Sequence, residues 1–432
     1  MKLVKKFLKD NSYKLIIISI MILALVVRIV YVVKTPYTEI QHDLDVNYAY
    51  DLATDLKLPE TNDGENYHPP FHQMLFAIVI RIQMPFIEEE PPIYENAQFL
   101  TVAYSMLLVG IIYKITKEIK LKKKFTIYMM IITALHPALI MLSGSLNNDE
   151  LCLLLVMWTV LRLIKWYKNT SIKNTIFLAI TTGLAVMTKT NGGIVAIPIL
   201  YVFGLNLYRD LKKADIKSTV IKKYLKRFFI FGIISLPLGL WYNVRNLILF
   251  NQPILYVLDP ENDGDLYVGG YSLLQRFMPF SKEIFQAYCD AYGNHNIVTY
   301  LIKCSLYGEF KWAEDEASLI YYYVSIILNT ILGIIGVVCI IKNILKRSKR
   351  RISYKIMMFL LYITNVVSFV IMNIKLPYGC SMDFRYIVPV LFVQSFFICF
   401  EFEKNTKIRN ILFIYISEMT LVMLLLVNFI IL

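Results

Sequence analysis

Asp43 and Asp45 stand in a polar stretch, residues 41–50, just after the first long apolar run; Tyr67-His68-Pro69-Pro70-Phe71-His72 follows about twenty-five residues later. A carboxylate partly withdrawn from water at a membrane surface can take a proton from a hydroxyl, an effect of about 10² to 10⁴ in rate. Two positions apart, the two acids share a face on an extended strand but diverge by about 200° on a helix, so one of them is expected to point into a cavity. Two solvated loop acids are the plainer alternative. Asp149, in Asn147-Asn148-Asp149, either caps the helix that follows or is a further acid facing the same cavity as Asp43.

Three cations accompany these acids. Lys189, in Thr188-Lys189-Thr190-Asn191-Gly192-Gly193, Arg245, in Tyr242-Asn243-Val244-Arg245-Asn246, and Arg385, in Asp383-Phe384-Arg385-Tyr386, all fall at ends of apolar runs. Ammonium and guanidinium groups suit phosphate oxygens, and a phosphate at that depth belongs most naturally to a lipid carrier. Snorkelling toward ordinary headgroups is the alternative for each. His68, Pro69 and Pro70 set an extended course before a short apolar helix, and with His72 are read as positioning residues of the loop. His42, His68 and His72 lack cysteine partners and regular ligand spacing, so no metal site is assigned.

The elements that must hold these groups are membrane helices. Hydrophobic residues make up 57% of the 432, and the mean hydropathy is +0.54. Those values describe an all-α polytopic membrane protein. Apolar runs predict about eleven spans, near residues 15–33, 98–115, 125–142, 151–164, 175–187, 194–207, 228–244, 319–341, 356–374, 386–400 and 411–431. About 33 of the 45 Lys and Arg fall on every second connection, while about 25 of the 32 acids fall on the other side. Basic loops stay inside, so the chain is read as a multi-pass protein of the cell membrane, N-terminus cytoplasmic and C-terminus extracytoplasmic. The net charge of +13 therefore reflects inside loops rather than nucleic-acid binding.

The whole chain, 1–432, reads as one membrane domain with two long extracytoplasmic loops, 34–96 and 245–318. The first loop contains an apolar stretch, residues 71–84, too short to span and interrupted by Arg81; it is expected to lie in the outer interface as a helix. The second is aromatic and is expected to form short helices and loops on the membrane surface. Arg28, near the outer end of the first span, is expected to snorkel, and Glu418 lies within the last span.

In order along the chain, Asp43 and Asp45, Tyr67-His68-Pro69-Pro70, the stretch from Leu135-His136-Pro137 to Asn148-Asp149, Thr188-Lys189, Arg245-Asn246 with Pro253, and Arg385-Tyr386 resemble the GT-C membrane glycosyltransferases. Within them the resemblance is to the protein O-mannosyltransferase and lipid A aminoarabinose transferase-like group, over roughly residues 15–390. It implies a GT-C-like fold and an enzyme that moves a sugar from a polyprenyl-phosphate donor to an envelope acceptor (lipid, glycan or protein) outside the membrane, with inversion. It also implies Asp43 as general base, with Asp45 as the other candidate, and Lys189, Arg245 and Arg385 as holders of the donor phosphate. Leu44 separates the two acids where the family often has them adjacent, which leaves the choice of base open. The resemblance fixes no cofactor, and a divalent metal is the one to be tested. The sequence ends in a span, so the acceptor is expected to meet the loops around residues 251–318 or to be a lipid. Ile- and Lys-rich usage suggests a bacterium. A transporter or lipid-linked-sugar flippase of envelope polysaccharide assembly is the rival reading. It would place its charges near the midplane, in two related halves, rather than at one surface.

Overall fold

The computed structural model describes residues 2–39, 46–61, 64–254, 256–257, 264–279, 281–286, 291–309, 316–345, 351–403 and 406–432. Asp43 and Asp45, and with them His42, lie outside these described residues.

Sixteen α-helices follow one another among the described residues, and no strand does. They are α1 (Lys2–Lys34), α2 (Asn47–Asp55), α3 (Phe71–Gln83), α4 (Glu90–Glu118), α5 (Lys123–Leu135), α6 (Pro137–Leu142), α7 (Asp149–Lys168) and α8 (Ile172–Thr188). After these come α9 (Ala196–Lys213), α10 (Lys217–Phe250), α11 (Leu273–Phe277), α12 (Ile297–Tyr307), α13 (Glu316–Leu345), α14 (Ile352–Lys375), α15 (Pro389–Glu401) and α16 (Lys407–Ile431).

Seven of these helices are long and apolar enough to cross a membrane by length and composition: α1, α4, α9 with the turn before it, α10, α13, α14 and α16. The other four expected spans also fall on helices, but shorter or more polar ones. The run at 125–142 is divided into α5 and α6, α8 has 17 residues, α15 has 13, and α7 opens on two acids. Nearly every side chain of α7 from Leu151 to Trp166 is buried, as it packs between α4 and α8. A helix enclosed by protein on all sides can carry Asp149 and Glu150 at its end without exposing them to lipid.

Pro137 divides the third expected span. His136 before it takes the extended conformation that a residue preceding proline prefers, with ψ 124°. Proline has no N–H to give to the carbonyl four residues back, so the last carbonyls of α5 need other donors. Side chains supply them. Arg28 donates to the carbonyl oxygens of Thr133 (3.0 Å) and Ala134 (2.8 Å), and Asn428 donates to that of Leu135 (2.9 Å). Arg28 also donates to Ala24 O and to Ser105 Oγ. It is fully buried and tied to α4 and α5, and so does not snorkel as expected. The helix break is what gives a buried guanidinium enough acceptors.

In the first loop, the helix expected at 71–84 forms as α3. Its Phe76, Ala77 and Ile80 pack with Ala49, Leu52 and Ala53 of α2, while Ile78 and Ile82 stay exposed. Arg81, which interrupts the apolar run, donates to the Ala53 carbonyl at 2.5 Å and so ties α3 to α2. The second loop carries short helices, as expected. Its α12 packs against α6 and against the turn that holds Arg385, placing this loop beside the ends of the spans.

Candidate active site

Asp149 is the first residue of α7 and is 7% exposed. The local cap comes from Asn147, whose Oδ1 accepts from the Asp149 N–H at 3.0 Å. The Asp149 carboxylate is turned to two cations: Lys189 Nζ lies 2.5 Å from Oδ1 and Arg385 Nη1 lies 3.8 Å from Oδ2. The free N–H groups at the start of α7 add further positive potential.

Each cation is placed by a turn that ends a helix. Lys189 caps α8 in an extended conformation (φ −155°, ψ 132°), and a 3₁₀ turn, Thr190–Val195, folds back on the helix. Gly192 permits that return: a Cβ there would stand 2.3 Å from the Ala185 carbonyl oxygen. Arg385 sits on the 3₁₀ turn Phe384–Tyr386 before α15, which Asp383 caps by accepting from the Arg385 N–H at 2.8 Å. Asp383, 1% exposed, also lies 3.7 Å from Arg385 Nε. The Tyr386 ring faces both cations, 5.0 Å from Lys189 Nζ and 5.0 Å from Arg385 Cζ, and its hydroxyl accepts from Arg385 Nη2. Two cations and two carboxylates from three parts of the chain thus meet at one membrane-helix end.

The wall behind this cluster is polar and buried. Gln98 donates to the Gly144 carbonyl (3.1 Å) and Thr101 to the Ser143 carbonyl (2.7 Å), so α4 holds the turn that leads to Asp149. Glu150, fully buried, interacts with Ser105 and with the charge of Arg28. His136 is 3% exposed and stacks against Phe384, next to Arg385, with ring centroids 6.1 Å apart. Its Nδ1 has no hydrogen-bond partner among the described residues.

The positioning residues behave differently from one another. The His68 ring lies 4.0 Å from that of Tyr67, which meets Tyr256 of the second loop edge-on at 5.5 Å. Pro69 and Pro70 are buried, and Pro70 precedes α3 and accepts from the Met74 N–H. His72 is 1% exposed, between Phe76 and Tyr104. Burial pushes its imidazole down to about 4, against the opposing pull of the Leu146 backbone and the Asp149 charge. Its neutral ring therefore packs beneath the turn that carries Asp149.

Of the expected phosphate ligands, Lys189 and Arg385 come together and Arg245 does not join them. Arg245 donates to the Pro59 carbonyl at 2.6 Å and to Asn246 Oδ1 at 3.0 Å, and lies over the Tyr242 and Phe250 rings. One helical turn earlier, the Tyr242 hydroxyl donates to the Asn66 carbonyl and accepts from Tyr48. This end of α10 clasps the first loop. Asp383, Tyr386, Glu150 and Arg28 were not singled out as site residues from sequence. Asp383 and Tyr386 flank Arg385 and could have been found by asking what orients it.

Residues 67–241 match the family model of dolichyl-phosphate-mannose-protein mannosyltransferases. The match begins at Tyr67-His68-Pro69-Pro70 and includes Asp149 and Lys189. Among solved structures, the chain is similar to the oligosaccharyltransferase of Archaeoglobus fulgidus tethered to an acceptor peptide containing the NVT sequon. The TM-score is 0.54 at 12% identity, over 98% of this chain and 55% of that one. The chain's fold is GT-C-like. Similar values hold for the archaeal oligosaccharyltransferase AglB of the same organism in complex with an inhibitory peptide and a dolichol-phosphate: TM-score 0.54, 11% identity, 98% of this chain and 56% of that one. This GT-C-like chain spans about half the length of those oligosaccharyltransferases. No curated protein matches it in sequence.

Proposed function

We propose that this protein is a membrane glycosyltransferase that moves a sugar from a polyprenyl-phosphate donor to an envelope acceptor on the extracytoplasmic side. The observation that carries the reading is the pair of cations, Lys189 and Arg385, facing one carboxylate at the N-terminus of α7. The GT-C-like fold, the mannosyltransferase match over 67–241 and the dolichol-phosphate bound by AglB support a lipid-linked donor.

In this reading the donor phosphate takes up the charge of Lys189 and Arg385, with Tyr386 holding both side chains in place. Asp43, or Asp45 in its stead, removes the proton from the acceptor hydroxyl. The oxygen attacks the anomeric carbon from the face opposite the phosphate, the bond from that carbon to the phosphate oxygen breaks, and the configuration inverts. Polyprenyl phosphate leaves with an added negative charge, which preorganised cations stabilise more in the transition state than in the bound donor. Asp149 keeps the two cations oriented and stands as the second acid beside the reacting centre. Arg245 is proposed to serve the donor through the first loop that it clasps. A divalent cation would draw on Asp149 together with Asp43 or Asp45. Among the described residues alone no three His, Cys, Asp or Glu side chains converge.

The test is release of free polyprenyl phosphate when purified protein receives a panel of polyprenyl-phosphate sugars and a crude envelope extract, beside a Lys189→Ala variant. Release by wild type alone supports the reading and names the donor. Absence of release from folded wild-type protein with every donor would overturn it in favour of a transporter or flippase.

A further inference from the structure

On the lysine-rich side of the bundle, α5 and α16 part to leave a groove of about 670 Å³. Ile127 and Ile131 of α5 face Ile414 and Leu421 of α16 along it. At the back, Tyr128 and Thr420 bond to each other through their hydroxyls at 3.3 Å, and Ser417 donates to the Phe413 carbonyl, so these polar groups are satisfied within the protein. What remains is a channel whose walls are apolar apart from Glu418. From Asn410 to Leu421 the channel runs about 16 Å along α16 at 1.5 Å per residue. That is about half of a ~30 Å hydrocarbon core, the depth of one leaflet.

The mouth of the groove is cationic. Lys122 Nζ donates to the Glu403 backbone carbonyl at 3.1 Å, and Lys124 Nζ donates to Asn410 Oδ1 at 2.7 Å while lying over the Phe125 and Phe413 rings. These partners are all neutral groups, so both charges are held in place without being neutralised. Neither lysine pairs with a carboxylate among the described residues, and the charge of Lys122 is unfavourable to that of Lys124. Two fixed like charges at a membrane surface favour a bound anion between them. Glu418 lines the same groove two turns of helix deeper than Asn410. A carboxyl group there opposes entry of a phosphate into the deep end and keeps an anionic head at the lysines.

We propose that the groove between α5 and α16 binds one anionic phospholipid, its phosphate between Lys122 and Lys124 and one acyl chain along Ile127, Ile131, Ile414 and Leu421. This site is independent of the sugar-transfer reading. The test is native mass spectrometry of the delipidated full chain in detergent, titrated with phosphatidylglycerol, with phosphatidylcholine, and with phosphatidylglycerol in an excess of inorganic phosphate. Thermal unfolding in the same detergent checks folding. The expected result is one phosphatidylglycerol per chain, retained at least tenfold more than phosphatidylcholine. Lys122→Gln/Lys124→Gln and the groove-filling Ile414→Trp should each reduce retention about tenfold or more. Ile414 is exposed, so its variant decides the matter should the double variant fail to fold. Equal retention of the two lipids would overturn the proposal, as would retention unchanged in the folded variants. Displacement by inorganic phosphate with Ile414→Trp unaffected would leave an anion site without the acyl chain and would also overturn it. A lipid-free dimer disrupted by Ile414→Trp would assign the groove to a second copy and overturn it too.

Discussion

Lys189 Nζ lies 2.5 Å from Asp149 Oδ1 although forty positions separate the two residues. The pair joins the end of α8 to the start of α7, and Arg385 approaches the other carboxylate oxygen from a third part of the chain. A carboxylate between two cations occupies the kind of place that suits a phosphate. Lys189→Ala should lower the rate of polyprenyl-phosphate release by about 10²-fold, the usual loss on removing one preorganised charge donor. Lys189→Arg should recover part of it. A rate unchanged in folded Lys189→Ala would remove this residue from the site.

Asp43→Asn should abolish turnover, a loss of about 10² to 10⁴, while donor affinity measured by titration stays near wild type. The same change at Asp45 should act more weakly. A larger effect at Asp45 would reverse the assignment of the base, and loss of donor binding in Asp43→Asn would show a holding role instead.

Much of this architecture was legible in the sequence, because a membrane solvent forces apolar runs into helices. All eleven expected spans fall on helices, and the stretch interrupted by Arg81 forms α3. Lys189 and Arg385 stood out as cations on the acidic side, yet nothing in their spacing revealed that they meet at Asp149. That meeting depends on how α7, α8 and the turn before α15 pack, which is tertiary information. Arg28 was misread because its span looks uniform; two of its acceptors exist because Pro137, more than a hundred residues away, frees the carbonyls of Thr133 and Ala134.

Arg245 offers a direct contrast between sequence and structure. As a phosphate ligand, Arg245→Ala should weaken donor binding; as a clasp on the Pro59 carbonyl, it should loosen the first loop. The structure favours loosening, so limited proteolysis should cut Arg245→Ala faster between residues 57 and 66, with donor affinity changed less than in Arg385→Ala. Equal loss of affinity in the two variants would restore Arg245 to the phosphate site.

Removing Arg28 leaves Glu150 buried without its cationic neighbour and the carbonyls of Thr133 and Ala134 without a donor. Arg28→Met should therefore destabilise the fold by about 1–3 kcal/mol for each carbonyl left buried without its donor. Glu150→Gln added to it should restore part of that loss, because the stranded charge is gone. Unfolding midpoints of the two single variants and the double variant measure the coupling. Purely additive losses would show that Arg28 acts through the carbonyls of α5 alone.

His72 makes stability depend on pH. Burial holds its imidazole near 4, below the ordinary 6.5, so between those values the unfolded chain binds a proton that the folded chain refuses. Stability should therefore fall as the pH drops from about 6.5 toward 4, by up to about 3 kcal/mol from this residue, at 1.36 kcal/mol per unit. His72→Phe removes the titrating group and keeps an aromatic ring against Phe76 and Tyr104. Thermal unfolding in detergent from pH 7 to pH 4 should show a shallower decline in His72→Phe than in wild type. Parallel curves would mean that the acid sensitivity of this part of the fold lies elsewhere, and that the ring beneath Asp149 is protonated without cost.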